Sequence, residues 1–429
     1  MRRAALAVIS LLAAAAPLAA QDPQPAPLTL QQAEQMALQN HPLIQAAQYG
    51  ADAARQAVRE TRAPYFPTAF GSVTGADAES GSRIAAGGLN NPIIFNRFST
   101  GVTIGQLLTD FGRTHALVQS SSLVAQAQEA GVGGRRADVI LGVDRAYFSV
   151  LRAEAVQRVA QDTVDARQLV VDQVTALAAS GLKSSLDVSF ANVNLSEAKL
   201  LLAQAEGDTR GSLANLATAL GGSQTVTYAL AEEPLPPPLP TDAAALVAEA
   251  LRDRPDVAAE RFTAQAAAKL ADAEHDLLLP SIAAVGTFGA TPYHQAGIED
   301  RYAAVGVNVN VPLSNGGLFA ARHAEALFRA KAESQRARDV ENRVSRDVQL
   351  AWLNARTAFQ RLGLTDQLFD QASQALDLAQ QRYNLGLSSI IELSQAQLNK
   401  TQAQLAQASA KYEYQAERAA LQYQIGAIR

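Results

Sequence analysis

Residues 381–400, QRYNLGLSSIIELSQAQLNK, decide the reading of the fold. Both flanks are rich in strong helix formers, yet Gly386 and two serines interrupt them. One acid, Glu392, follows the interruption among amides and apolar residues. The same arrangement stands 205 residues earlier, where GLKSSLDV at 181–188 lies on GLSSIIEL at 386–393. A helix break that recurs at a fixed offset marks the turn of a repeated unit rather than a local flaw.

The repetition extends outward from there. NHPLIQAA at 40–47 parallels DRPDVAAE at 253–260, and Pro42 and Pro67 fall on Pro255 and Pro280 at an offset of 213. Further along the offset becomes 205, with Gly112 on Gly317, Tyr147 on Trp352 and Gly221 on Gly426. Repeat 2 is therefore eight residues shorter across the region matching 75–100, and a length change belongs in an exposed loop. The chain divides into repeat 1 at 21–232, a Pro-rich linker EPLPPPLPTD at 233–242, and repeat 2 at 243–429.

Each repeat predicts the same series. A short amphipathic helix (about 30–38 and 242–252) precedes a longer one that starts on Pro42 or Pro255, a residue suited to the first helical turn. Two short strands follow, at about 67–108 and 281–312, around a Gly/Asn-rich loop. Very long helices come next, at about 114–179 and 318–384. About 66 residues at ~1.5 Å rise span roughly 100 Å, more than any compact domain holds. Such a helix implies a coiled-coil or tube-like array. Ile391, Leu398, Leu405, Tyr412 and Ala419 stand seven apart, and Leu186, Val193 and Leu200 match the first three. This period predicts left-handed supercoiling, with these residues on the packed seam. GVGG at 131–134 interrupts the first long helix without a preceding strand or a following Gly-Lys-Ser/Thr, so close packing or a mild kink is expected rather than a phosphate loop.

The strands alternate. Val305, Val307, Val309 and Val311 fall on one face, and Gly306, Asn308 and Asn310 on the other. In repeat 1, Val102 and Ile104 oppose Gly101, Thr103 and Gly105. A half-buried soluble sheet and a membrane barrel wall both read this way. The strands near 68–75 and 281–289 give no clear facing.

Composition bounds the function. The 429 residues are 48% hydrophobic and 18% charged, as in a globular chain. The lack of cysteine excludes disulfides, thiolate metal sites, a cysteine nucleophile and an N-terminal lipid anchor. MRRAALAVISLLAAAAPLAA at 1–20 has the form of a secretory signal peptide cleaved near Ala20; an uncleaved anchor is the alternative, against which Pro17 and the small tail argue. The remainder carries a net charge of −7, from 34 basic and 41 acidic residues, so no nucleic-acid partner is expected. No other stretch reaches the roughly 18 apolar residues of a spanning helix. His41, His115, His275, His294 and His323 show no ligand spacing, with His41 reading as structural before a helix-starting proline. GSVTG at 71–75 is no nucleophile elbow. No catalytic, cofactor or metal site is expected, and the chain does not read as an enzyme.

The tandem plan, TRAPYFPTAF at 61–70 and YNLGLSSIIEL at 383–393 together resemble the TolC family of outer-membrane channel proteins, over residues 28–427. The resemblance implies a mainly α protomer with a small β part. Three copies would each give four strands to one shared 12-stranded transmembrane β-barrel, with their helices forming a periplasmic α-barrel. Physics independently requires several chains, because an open sheet edge is unsatisfied in lipid and four strands cannot close. The resemblance further implies a passive exit duct in the outer membrane of a Gram-negative bacterium, serving a tripartite efflux pump or type I secretion system. Its partners would be a periplasmic adaptor (membrane fusion) protein, an inner-membrane RND or ABC transporter, and outer-membrane lipid. Val102, Ile104, Val305, Val307, Val309 and Val311 would face lipid; Gly306, Asn308 and Asn310 would face the lumen. The gate would lie at the helix tips that turn at Gly181 and Gly386. The family's tip tyrosine falls on Tyr383 and its hydrogen-bond partner on Asp187. The tip arginine falls on Ser388, and two successive acid rings fall on Glu392 and Gln395. Three Glu392 carboxylates around a narrow pore would favour cations; the alternative is a solvated acid near a helix N-terminus. A soluble periplasmic coiled-coil scaffold or adaptor is the competing reading, but it would usually carry one helical hairpin rather than two, each with a strand pair.

Overall fold

The computed structural model describes residues 27–79, 96–222, 228–294, 297 and 299–428; the signal peptide expected at 1–20 lies outside them. Each half of the chain runs through one series of elements. The first half has α1 (Leu30–Asn40), α2 (Pro42–Arg62), a one-turn 3-10 helix (Ala63–Tyr65), β1 (Thr68–Ala76), β2 (Arg97–Thr109), α3 (Arg113–Ala179) and α4 (Ser185–Ala219). The second has α5 (Ala244–Asp253), α6 (Pro255–His275), a 3-10 turn (Asp276–Leu278), β3 (Ser281–Tyr293), β4 (Arg301–Asn310), α7 (Leu318–Asn384) and α8 (Ile390–Gln424). At 67 residues each, α3 and α7 are about 100 Å long.

Local chemistry sets the boundaries. Thr29 and Gln32 form a reciprocal capping box at α1, and Pro42 and Pro255 open α2 and α6. His41 has the structural role expected of it: its Nδ1 accepts the Leu43 N–H at 3.3 Å. Gly221 and Gly426 take positive φ (81° and 76°) and close on the α1–α2 and α5–α6 junctions of their own halves. A Cβ on Gly221 would stand 3.0 Å from His41 Cα, and one on Gly426 would stand 3.2 Å from the Arg254 nitrogen.

The main core lies where α1, the middle of α3 and the ends of α4 and α8 converge. Tyr147 is wholly buried there, with Val143, Phe148, Val150 and Leu216. Its hydroxyl lies 2.8 and 2.7 Å from the Leu28 and Ala231 carbonyls and shares its one proton between them. Its repeat mate Trp352 donates its indole N–H to the Pro240 carbonyl at 3.0 Å. The Pro-rich segment between the halves is thus not a free tether. Tyr414 donates to the Pro237 carbonyl at 3.1 Å and Gln415 to the Glu233 carbonyl at 2.9 Å. Proline has no N–H to give, so side chains of α3, α7 and α8 supply the donors and hold the segment as a strap.

The seam between the long helices differs from the expected one. On α4 the buried residues seven apart are Ala191, Ala198, Ala205 and Ser212. Leu186, Val193 and Leu200 are instead 63%, 54% and 72% exposed. On α8, Tyr412 and Ala419 are buried as expected, Leu405 is half-buried, and Ile391 and Leu398 are exposed. The period is correct and the stripe is displaced, because small residues let helices of one chain approach closely and leave the large ones outside. At GVGG, Gly133 lies against Pro255, the first residue of α6, where a Cβ would come within 3.4 Å of the proline Cβ. Gly131 and Gly134 line a cavity of about 370 Å³ beside it. Close packing is the outcome there.

The four strands form one antiparallel sheet in the order β1-β2-β3-β4, leaving β1 and β4 as its edges.

Candidate gate and barrel wall

Both helix tips are built by the same local rules. Gly386 (φ +72°) donates to the Tyr383 carbonyl at 3.1 Å, and Leu387 donates to the Arg382 carbonyl at 2.8 Å. Gly181 (φ +74°) and Leu182 repeat this pattern on Ala178 and Leu177. This is the Schellman ending, which needs a left-handed residue and so selects glycine. Two residues later Ser184 and Ser389 cap α4 and α8.

The acids at the two tips, Asp187 and Glu392, are repeat mates with different partners. The Asp187 carboxylate turns back on Ser184, accepting its N–H at 3.0 Å and its hydroxyl at 2.8 Å. Those bonds, with a smaller contribution from Lys183, hold the carboxyl below its usual range. Glu392 is one methylene longer and reaches across the turn to Arg382, at 3.1 Å. It is therefore not the lone carboxylate that the sequence implied.

Tyr383 stands between the two hairpins. It is 4% exposed and packs with Val174 of α3 and with Ile390 and Leu393 of α8. The expected hydrogen bond to Asp187 is not made: the Tyr383 hydroxyl has no partner, and the Asp187 carboxylate turns toward Ser184 through Oδ2. Burial, then the nearby Asp187 charge, pushes the phenol pKa up. The Lys183 Nζ sits 3.8 Å from the centre of the Tyr383 ring. Ser388 is half-buried, its hydroxyl unbonded, and the Gln395 amide donates to Asn399 at 3.0 Å. The structure thus brings Asp187, Tyr383 and Glu392 to one end of the helices and adds Lys183 and Arg382. Sequence reasoning missed both cations, although Arg382 adjoins Tyr383 and Lys183 is the repeat mate of Ser388.

The sheet register assigns the faces. Ile104 pairs with Gly286, and Gly286 with Val305; Val102 pairs with Phe288, and Phe288 with Ala303. Directly paired residues share a face, so Val102, Ile104, Val305, Val307 and Val309 lie together, with Ile282, Ala284 and Phe288. Val311 lies just beyond β4. Gly306, Asn308 and Asn310 lie on the opposite face with Ser281, Thr287 and Thr103, and the Thr103 hydroxyl meets that of Thr287 at 3.4 Å. The same register places β1 and β3, which alternation alone left unassigned. On the polar face Tyr302 covers Gly289 and Gly101, where any Cβ would collide with its ring.

Among the described residues no cluster of three metal-ligating side chains occurs, and no helix is long and apolar enough to cross a membrane. The His275 and His323 rings meet edge-on at 5.2 Å, a pairing that their sequence distance hid.

Comparison with known proteins places this architecture. The sequence is 26% identical over 318 residues to Protein CyaE of Bordetella pertussis (strain Tohama I), covering 72% of this chain and 65% of that protein. The chain therefore spans a little under two thirds of that relative's length. It is 23% identical over 399 residues to the outer membrane protein TolC of Escherichia coli (strain K12), covering 90% of this chain and 79% of the relative. The fold is similar to the crystal structure of a membrane protein from Pseudomonas aeruginosa, with a TM-score of 0.81 and 20% identity over 92% of this chain and 93% of that one. The family model for outer membrane efflux proteins matches residues 33–222 and 246–427, nearly the whole described chain. The chain belongs to the outer membrane efflux protein family.

Proposed function

We propose that three copies of this chain close one barrel in the outer membrane and act as a passive exit duct that performs no chemistry. The observation that carries this reading is the open four-stranded sheet. It has an apolar face, a polar face and two unpaired edges, β1 and β4. Val305 and Val307 are 88% and 65% exposed in a single chain. In water such a face invites aggregation; in lipid it is the required surface, provided that the edges are paired. Pairing β4 of one copy with β1 of the next gives four strands per copy and twelve in a trimer. The valine face then meets lipid, and Asn308, Asn310 and Gly306 line the lumen. A soluble scaffold would cover its valine face, whereas Val305, Val307 and Val309 stand exposed here.

The long helices continue the duct into the periplasm. Leu186, Val193 and Leu200 on α4, and Leu350, Leu353 and Leu364 on α7, lie exposed on a single chain and supply seams for neighbouring copies. The duct narrows at the tips, where Gly181 and Gly386 turn the hairpins and Tyr383, Asp187, Ser388, Glu392 and Gln395 surround the opening. An adaptor protein docks there and joins it to an inner-membrane RND or ABC transporter, which supplies the energy. Residues 1–20 direct export.

Separation of inner and outer membranes, followed by planar-bilayer recording of the purified chain, tests this reading. The chain should sediment with the outer membrane and give discrete conductance steps. Recovery in the soluble periplasmic fraction, or bilayers that stay silent, would overturn it.

A further inference from the structure

We propose that Lys183 is the latch of the closed tip, and that it holds the two hairpins of one protomer together by seating its ammonium on the face of the Tyr383 ring. The proposal rests on the exit-duct reading and names the residue that regulates its gate.

The contact is short and crosses between the repeats. Lys183 lies in the α3–α4 turn and Tyr383 near the end of α7, with Nζ 3.8 Å from the ring centre. The chain's other cation–ring contacts span 5.2 to 5.6 Å among the described residues. Lys183 is half-buried and the ring almost wholly so, which limits the water that would otherwise weaken the attraction.

At the turns themselves the other polar groups make no bond between the hairpins among the described residues; a polar bond between them, Asn194 to Ser394 at 2.7 Å, lies farther along α4 and α8. The Tyr383 hydroxyl has no partner, so the phenol joins the hairpins through its ring and not its oxygen. Asp187 turns toward Ser184 through Oδ2, and neither of its oxygens bonds the Tyr383 hydroxyl. Arg382, the neighbouring cation, pairs with Glu392 within its own hairpin and ties nothing across. The Ser388 hydroxyl has no partner.

The internal repeat supplies an independent argument. Lys183 and Ser388 occupy the same place two residues beyond the turn glycine, one in each copy. The tip thus has one basic residue at this pair of equivalent positions, and it is carried by the first hairpin. If the α7–α8 hairpin swings outward, Tyr383 moves with it, and the ring leaves an ammonium that stays on α3–α4.

The test uses full-length protein in planar bilayers. Lys183→Ala should raise the open fraction by about 2- to 5-fold for each protomer released. Lys183→Arg, which keeps a cation able to stack, should behave as the native protein. Tyr383→Phe keeps the ring face, so Lys183→Ala should have its full effect in that background. In a Tyr383→Leu background the effect should vanish. Channels whose open fraction is the same with Lys, Arg or Ala at 183 would overturn the latch and leave the duct standing. An effect of Lys183→Ala that disappears with Tyr383→Phe would also overturn it, by assigning the contact to the hydroxyl. Native protein that forms no conducting pore would overturn the latch together with the duct.

Discussion

Asp144 lies in the middle of α3, 3% exposed, beside Glu34 of α1 and one turn from Tyr147. Burial first, then the Glu34 charge, pushes its carboxyl up to about 8. Glu34 is raised too, by burial and by the Glu233 charge of the strap, although its contact with Asp144 works the other way. An acid whose pKa is raised on folding keeps its proton in the folded chain and loses it in the unfolded one. The contribution of Asp144 to stability is therefore fully present at low pH and is lost as pH rises from about 4 to about 8. Asp144→Asn should flatten the melting temperature between about pH 5 and 8, and raise it by a few degrees at pH 8. Parallel pH profiles for native and variant protein would refute the buried pair. At the tip, Arg382→Ala should free Glu392 and raise the cation-over-anion permeability ratio by about two-fold; the pair is half-exposed, so the effect is modest. Unchanged selectivity would place Glu392 away from the conduction path. Gly386 and Glu392 were legible in the sequence because a turn and its repeat are short-range signals. The Glu392–Arg382 pair, the Lys183–Tyr383 contact and the Glu34–Asp144 pair were not. Each depends on which helix face meets which, and that is fixed only by packing.

At the scale of elements, the long helices and strands β2 and β4 followed from periodicity, turn glycines and prolines, which act within a few residues; β1 and β3 were legible as strands but not in their facing. The seam of the coiled coil did not. A heptad of Leu186, Val193 and Leu200 reads as a packed stripe, and only the structure shows that Ala191, Ala198 and Ala205 take the intrachain contact. The displaced stripe is what a chain needs when its helices must also pack against other copies. Val193→Asp with Leu200→Asp should leave helix content intact by circular dichroism and dissociate the oligomer on size exclusion in detergent. Burying each carboxylate would cost several kcal/mol, well beyond the ~0.5 kcal/mol typical of a surface change. A variant that elutes with the native protein would show that this face stays exposed in the assembly.

At the scale of the whole molecule, the tandem plan was legible because two copies of one pattern reinforce each other. The strap was less so. A Pro-rich run reads as a spacer, yet Trp352, Tyr414 and Gln415 bind its carbonyls, and Tyr147 binds that of Ala231 just before it. The strands lead directly into α3 and α7, whose far ends carry the hairpin tips, so sheet and tips stand at opposite ends of these long helices. The proposed barrel closes this open sheet only with two other copies. Native mass spectrometry of the particle extracted from the outer membrane counts the chains directly. Three copies per particle are predicted; a single chain, or any number other than three, would contradict the closed twelve-stranded barrel.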